Sequence, residues 1–162
     1  MALGTACLDS SEIASIRSLD MGKRSSQEIG AAHECAVRQL LNKWHLLYDP
    51  KRKFRTRFDS EIELDFFLHA TKHRPAVVLE CKDFGVEAKN PADSKRRKTQ
   101  EALWLLVQVR RHCPETKTAR IVLITGARGF RPDQEALLRF ELGEDFHIVP
   151  LSETSNLERL VI

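Results

Sequence analysis

Apolar positions in this chain recur first at a period near 3.6 and then at a period of two, and the change of period sets out its elements. In SSQEIGAAHECAVRQLLNKWHLL, Ile29, His33, Ala36, Val37, Leu40, Trp44 and Leu47 fall at helical spacing, which predicts a long amphipathic helix. Ser25 followed three residues later by Glu28 has the form of a capping box and sets the expected start; Pro50 is expected to end the helix. KFRTRF and EIELDFFLHA, separated by Asp59 and Ser60, then read as a hairpin. Strict alternation in the second strand puts Ile62, Leu64, Phe66 and Leu68 on one face and Glu61, Glu63, Asp65 and Phe67 on the other.

AVVLECKDF follows as a third strand, and after the polar GVEAKN a helix is expected from Pro91 to about His112. ARIVLITG is almost wholly apolar and reads as an interior strand. RPDQEALLRFELG reads as a helix between Pro132 and Gly143, FHIVPL as a fifth strand, and TSNLERLVI as a short closing helix or tail. Residues 1–24 carry the weakest pattern, at most a short helix capped by Asp9, so residues 25–162 form the predicted single domain. The order αβββαβαβ predicts an α/β fold, a mixed central sheet flanked by helices.

Composition narrows this little. At 162 residues, 42% hydrophobic and 30% charged, the chain has the make-up of an ordinary soluble domain. A net charge of +3 gives no global argument for nucleic acid, so any such case rests on local clustering. No segment has the length of a membrane span, and the N-terminal stretch lacks a basic start followed by an apolar block, so no secretory leader and a cytoplasmic location are expected. Cys7, Cys35, Cys81 and Cys113 are widely spaced without a CxxC pair, which suits a reducing compartment and argues against zinc.

The third strand carries the chemistry. Alternation sends Val78, Glu80 and Lys82 to one face and Val77, Leu79 and Cys81 to the other. If the second and third strands are neighbours, Asp65, Glu80 and Lys82 converge at one end of the sheet. Paired carboxylates in a partly dry site need a positive partner, and Mg²⁺ accepts one or two carboxylates together with water and phosphate oxygens. Plainer readings exist for each residue. Lys82 can form an exposed ion pair with Glu80, Asp65 can start a bulge or pair with Arg57 across the hairpin, and Glu63 can be a solvated strand residue.

The set Asp65 … Glu80-Cys81-Lys82 resembles the PD-(D/E)XK nuclease superfamily, whose fold is shared by many type II restriction endonucleases. The helix–three strands–helix–strand order is similar to the core of that superfamily over roughly residues 25–125. The resemblance implies that Asp65 and Glu80 bind the metal and that Lys82 activates water. It also implies a glutamate on the first helix, and Gly30-Ala31-Ala32-His33-Glu34 has the Gly-x-x-x-Glu form; the plain alternative for Glu34 is an i,i+4 pair with Arg38. Leu64 stands where the literal motif has proline. EAK at Glu87 and ETK at Glu115 are further E-x-K triplets, but only the Glu80 copy follows an apolar strand and an aspartate-bearing hairpin.

Two basic clusters bracket these acids. KRKFRTR supplies Lys51, Arg52, Lys53, Arg55 and Arg57, and KNPADSKRRK supplies Lys95, Arg96, Arg97 and Lys98. Their functional reading is phosphate neutralisation; their plain reading is solvated helix and strand faces. Gln100, one turn into the long helix, is a weaker candidate for the site, as is Glu63. His33 reads as a core histidine. The expectation is a Mg²⁺-dependent DNA endonuclease, with Mn²⁺ able to substitute, acting as a restriction endonuclease or its catalytic subunit. A Holliday-junction resolvase, transposase or repair nuclease, or an inactive DNA-binding or assembly module, are the alternatives. No helix-turn-helix or zinc finger is visible, so recognition is expected to need a homodimer or a partner subunit.

Overall fold

The computed structural model describes residues 26–83, 91–126 and 129–162, with backbone alone at 26, 91–96 and 98. The N-terminal segment, Ser25 and the GVEAKN loop lie outside the described residues. Five strands, β1 (Asp49–Arg55), β2 (Glu61–Leu68), β3 (Val77–Lys82), β4 (Arg120–Thr125) and β5 (Phe146–Pro150), form one sheet in the order β1-β2-β3-β4-β5. β1, β2 and β3 pair antiparallel, whereas β3, β4 and β5 are parallel. The parallel joins need crossovers, supplied by α2 (Pro91–His112) between β3 and β4 and by α3 (Pro132–Leu142) between β4 and β5. With α1 (Ser26–Lys43) and α4 (Thr154–Val161), the chain is the expected mixed α/β fold, and its first six elements run αβββαβ. The segment left open between helix and tail is a helix, α4. Among the described residues no helix is long and apolar enough to cross a membrane.

Helices on both faces divide the core in two. Val78, Ile121 and Leu123 pack with Ala102, Leu106 and Val109 of α2 and Leu138 and Leu142 of α3. Val77, Leu79, Val122 and Ile124 pack on the other face with Val37 and Leu41 of α1 and Leu157 and Val161 of α4. β3 and β4 are thus covered on both sides, the reason their sequences read as unbroken apolar runs.

Two expectations fail, each for a local reason. The first helix ends at Lys43, not near Pro50. His45 adopts a left-handed φ of 55°. His45 N–H donates to Asn42 O and Leu46 N–H to Leu41 O, each at 3.0 Å. These two bonds form a Schellman ending, so Leu47 lies beyond the helix and is 89% exposed. Pro50 sits inside β1, which tolerates it because β1 is an edge strand.

The second failure is the strict alternation in β2. Ile62, Leu64 and Phe67 join the α2 side of the core, while Phe66 and Leu68 join the α1 side. The inward face therefore changes phase between Leu64 and Phe66. Asp65 is at the slip.

Candidate functional site

The slip leaves a gap in the sheet that side chains fill. Backbone pairing between β2 and β3 runs Leu68–Val77, Phe67–Val78 and Phe66–Leu79, and goes no further. One step on, Cys81 N–H donates to Asp65 Oδ2 at 2.8 Å, and Asp65 N–H donates to Glu80 Oε2 at 3.4 Å. Each carboxylate thus stands in for a rung of the ladder on the opposing strand. This holds Asp65 and Glu80 together, both buried, at the carboxyl end of β3. The proximity expected from neighbouring strands is present.

Glu80 is 4% exposed. Burial first, and the charge of Asp65 second, push its carboxyl up to about 7, against the pull of Lys82. Lys82 Nζ lies 3.0 Å from Glu80 Oε1, and its side chain is only 23% exposed. The pair is therefore a largely enclosed one, unlike the exposed ion pair of the plain reading. Burial lowers the Lys82 pKa, but the charge and hydrogen bond of Glu80 outweigh it and the net shift is upward. Lys82 carries its proton here.

Glu34 reaches this cluster through a residue that sequence reasoning assigned elsewhere. Lys51 Nζ lies 2.8 Å from Glu34 Oε2 and also hydrogen-bonds Asp65 Oδ1. The basic hairpin thus delivers one of its lysines into the acid cluster, and Asp65 pairs with Lys51, not with Arg57. Burial works to lower the Lys51 pKa, but the hydrogen bonds to Asp65 and Glu34 raise it overall. Between these charges the Cys81 thiol, half-buried and near Asp65, Glu80 and Glu34, is held well above its ordinary range by desolvation and those charges and stays a thiol.

Other residues take unexpected places. Asp83, read as a turn residue, approaches His33, with His33 Nδ1 3.6 Å from Asp83 Oδ2. His33 is buried, as its place on the apolar stripe predicted. Gly126, just past β4, packs against the Asp83 carboxylate: a Cβ there would meet Asp83 Oδ1 at 2.2 Å, so a larger residue would make that side chain move. Gln100 turns away from the acids and lines an outer groove with Leu103, Trp104 and Val107. Its neighbour Glu101, paired with Arg97, is the residue of α2 whose charge acts on Lys82. Glu63 is exposed on β2.

The remaining basic residues have partners of their own. Arg52 pairs with Asp49 and Glu115 and lies over the Phe54 and Phe67 rings. Lys53 and Arg55 pair with Glu61 and Asp59, and Arg57 lies over Phe58. Arg97 pairs with Glu101 at 3.4 Å on α2; the side chains of Lys95, Arg96 and Lys98 lie outside the described residues. Surface pairs of this kind are worth about 0–1 kcal/mol each, so they exchange easily for other anions.

Among the described residues no group of three His, Cys, Asp or Glu side chains is placed to hold a metal ion. The arrangement supplies two neighbouring carboxylates, Asp65 and Glu80, with Glu34 linked to Asp65 through an ammonium. Comparison with protein-family models gives no match, and no curated protein matches the sequence.

Proposed function

We propose that this chain is a Mg²⁺-dependent DNA endonuclease with a PD-(D/E)XK-type site, acting as a restriction endonuclease or its catalytic subunit. The observation that carries the reading is Glu80. Buried beside Asp65, whose N–H it accepts, its carboxyl is pushed up to about 7 even with Lys82 at 3.0 Å, so further positive charge at this cluster would be favoured. The donor set fits the ion in kind, because Asp65 and Glu80 offer hard oxygens from adjoining strands, linked by the Asp65 N–H to Glu80 bond, and Mg²⁺ completes its shell with water and phosphate. Bound there, it would supply Lewis-acid charge and an acidified water for phosphodiester hydrolysis.

The chain's own residues have separable tasks. Asp65 and Glu80 would hold the metal, kept in position by their hydrogen bonds to the opposite strand's backbone. Lys82, protonated and fixed against Glu80, would orient the attacking water and offset charge on the phosphate. Glu34 would be an outer acid, reaching the site through Lys51. Lys53, Arg55, Arg57 and the basic start of α2 would contact DNA phosphates. One chain carries one such site, so cutting both strands calls for a second, in a homodimer or with a partner subunit.

Supercoiled plasmid incubated with the purified chain and Mg²⁺ tests this, with nicked or linear product expected. Lys82→Ala is expected to keep its near-UV CD spectrum and DNA affinity while cutting at least about 100-fold more slowly. An untouched plasmid, or a variant as active as the parent, dismisses the proposal. Preference for a four-way junction over plain duplex would assign a resolvase. The second reading, a binding or assembly module, rests on Lys51 already neutralising Asp65 and Glu34; such a module would hold DNA equally well without Mg²⁺.

A further inference from the structure

We infer that Lys51 is a built-in counterion of the acid cluster, its ammonium bridging Glu34 to the Asp65 carboxylate that a divalent cation is to share with Glu80, so that metal must displace it. The inference rests on the reading of Asp65 and Glu80 as metal ligands. Three independent observations support it. Lys51 Nζ touches one oxygen of each acid, Glu34 at 2.8 Å and Asp65 at hydrogen-bond distance, the position a bridging cation would take. Its backbone is in the left-handed region, φ 51°, which an L residue with a long side chain rarely adopts and which persists only when its surroundings impose it. And the β1–β2 ladder pairs Pro50 with Phe66 and Arg52 with Leu64 but leaves out the Lys51–Asp65 rung between them. The strand distorts at the one residue that faces Asp65.

The arrangement answers a physical need. Without a cation, Glu34, Asp65 and Glu80 would crowd acidic groups into a partly dry site where Lys82 is engaged by Glu80. Lys51 relieves that repulsion. It also has solvent to move into, since its side chain is 43% exposed on the edge strand. A device of this kind keeps the site assembled at low metal and sets a threshold for loading. It differs from a phosphate-binding role, which needs the ammonium turned outward from the start.

Two measurements on the full-length protein test it without reference to cleavage. In the first, Mn²⁺ binding is followed by loss of the free-ion electron paramagnetic resonance signal in wild type, Lys51→Met and Lys51→Gln. Removing a competing unit charge at contact distance near a protein surface is expected to tighten Mn²⁺ about tenfold or more, and adding Asp65→Asn is expected to cancel the gain. In the second, amine acylation of the wild type is read by mass spectrometry, and labelling of Lys51 is expected to rise severalfold on addition of Mg²⁺. The second needs no variant to fold. Mn²⁺ bound equally or more weakly by both variants, or Lys51 labelling unmoved in metal-saturated wild type, overturns the inference while leaving the nuclease reading intact. No metal binding in any form overturns both.

Discussion

Glu80 is the residue on which the site turns, because a buried acid stores its environment in its pKa. Unfolded, it titrates near its ordinary value of 4.5; folded, burial and Asp65 raise it to about 7, with Lys82 opposing. Between those values the folded chain binds a proton that the unfolded chain has released, so this contribution to stability is present in acid and is lost as pH rises toward 7. The metal-free protein is therefore expected to lose up to about 3 kcal/mol through this group between pH 5 and 8. Urea titrations of wild type and Glu80→Gln check this. The difference between them should change with pH, and a constant difference sinks the account. Lys82→Ala adds to it, since removing the partner of a mostly buried carboxylate is expected to cost about 1–3 kcal/mol at pH 8 and less at pH 6, where Glu80 takes up a proton.

Elements carried most of what could be read in advance. α2 begins at Pro91 and ends at His112, and α3 lies between Pro132 and the positive-φ Gly143, because proline and glycine act within one turn of where they stand. α1 shows where local signals mislead. Its apolar stripe continues past Lys43, but His45 takes the left-handed position that closes the helix. Histidine tolerates that position less well than glycine, so His45→Gly is expected to raise stability by about 0.5 kcal/mol in urea unfolding, and a loss greater than that would reject the Schellman ending. In β2 the period of two breaks at Asp65, as it must if an acid is to meet the ends of two strands at once. The interruption is small in sequence and decisive in space.

At the scale of the whole molecule, β3 and β4 run parallel, so their carboxyl ends bring Lys82, Asp83 and Gly126 to one end of the sheet, the end where open α/β sheets place their ligands. The hairpin of β1 and β2 carries Lys53, Arg55 and Arg57 away toward the C-terminal end of α2, where Arg57 N–H donates to His112 O at 2.9 Å. If these meet DNA phosphates, neutralising all three is expected to lower the slope of log affinity against log salt by about three, measured by fluorescence anisotropy in the Lys82→Ala background. An unchanged slope would remove the hairpin from the interface.

The amino-acid sequence alone determined the class of the fold, the element order, both crossover helices and the nearness of Asp65 to Glu80. Each of these rests on hydrophobic period or on residues that act within a few positions of themselves. It was also enough to put Glu34 forward from the first helix. Tertiary structure alone decided that Lys51 leaves the basic run to bridge Glu34 and Asp65, that Asp83 turns to His33, and that the charge of Glu101 acts on Lys82. Those are choices between partners distant along the chain, made where the strands and helices come side by side. A charge declares its sign in the sequence, but its nearest opposite charge exists only once the strands are side by side.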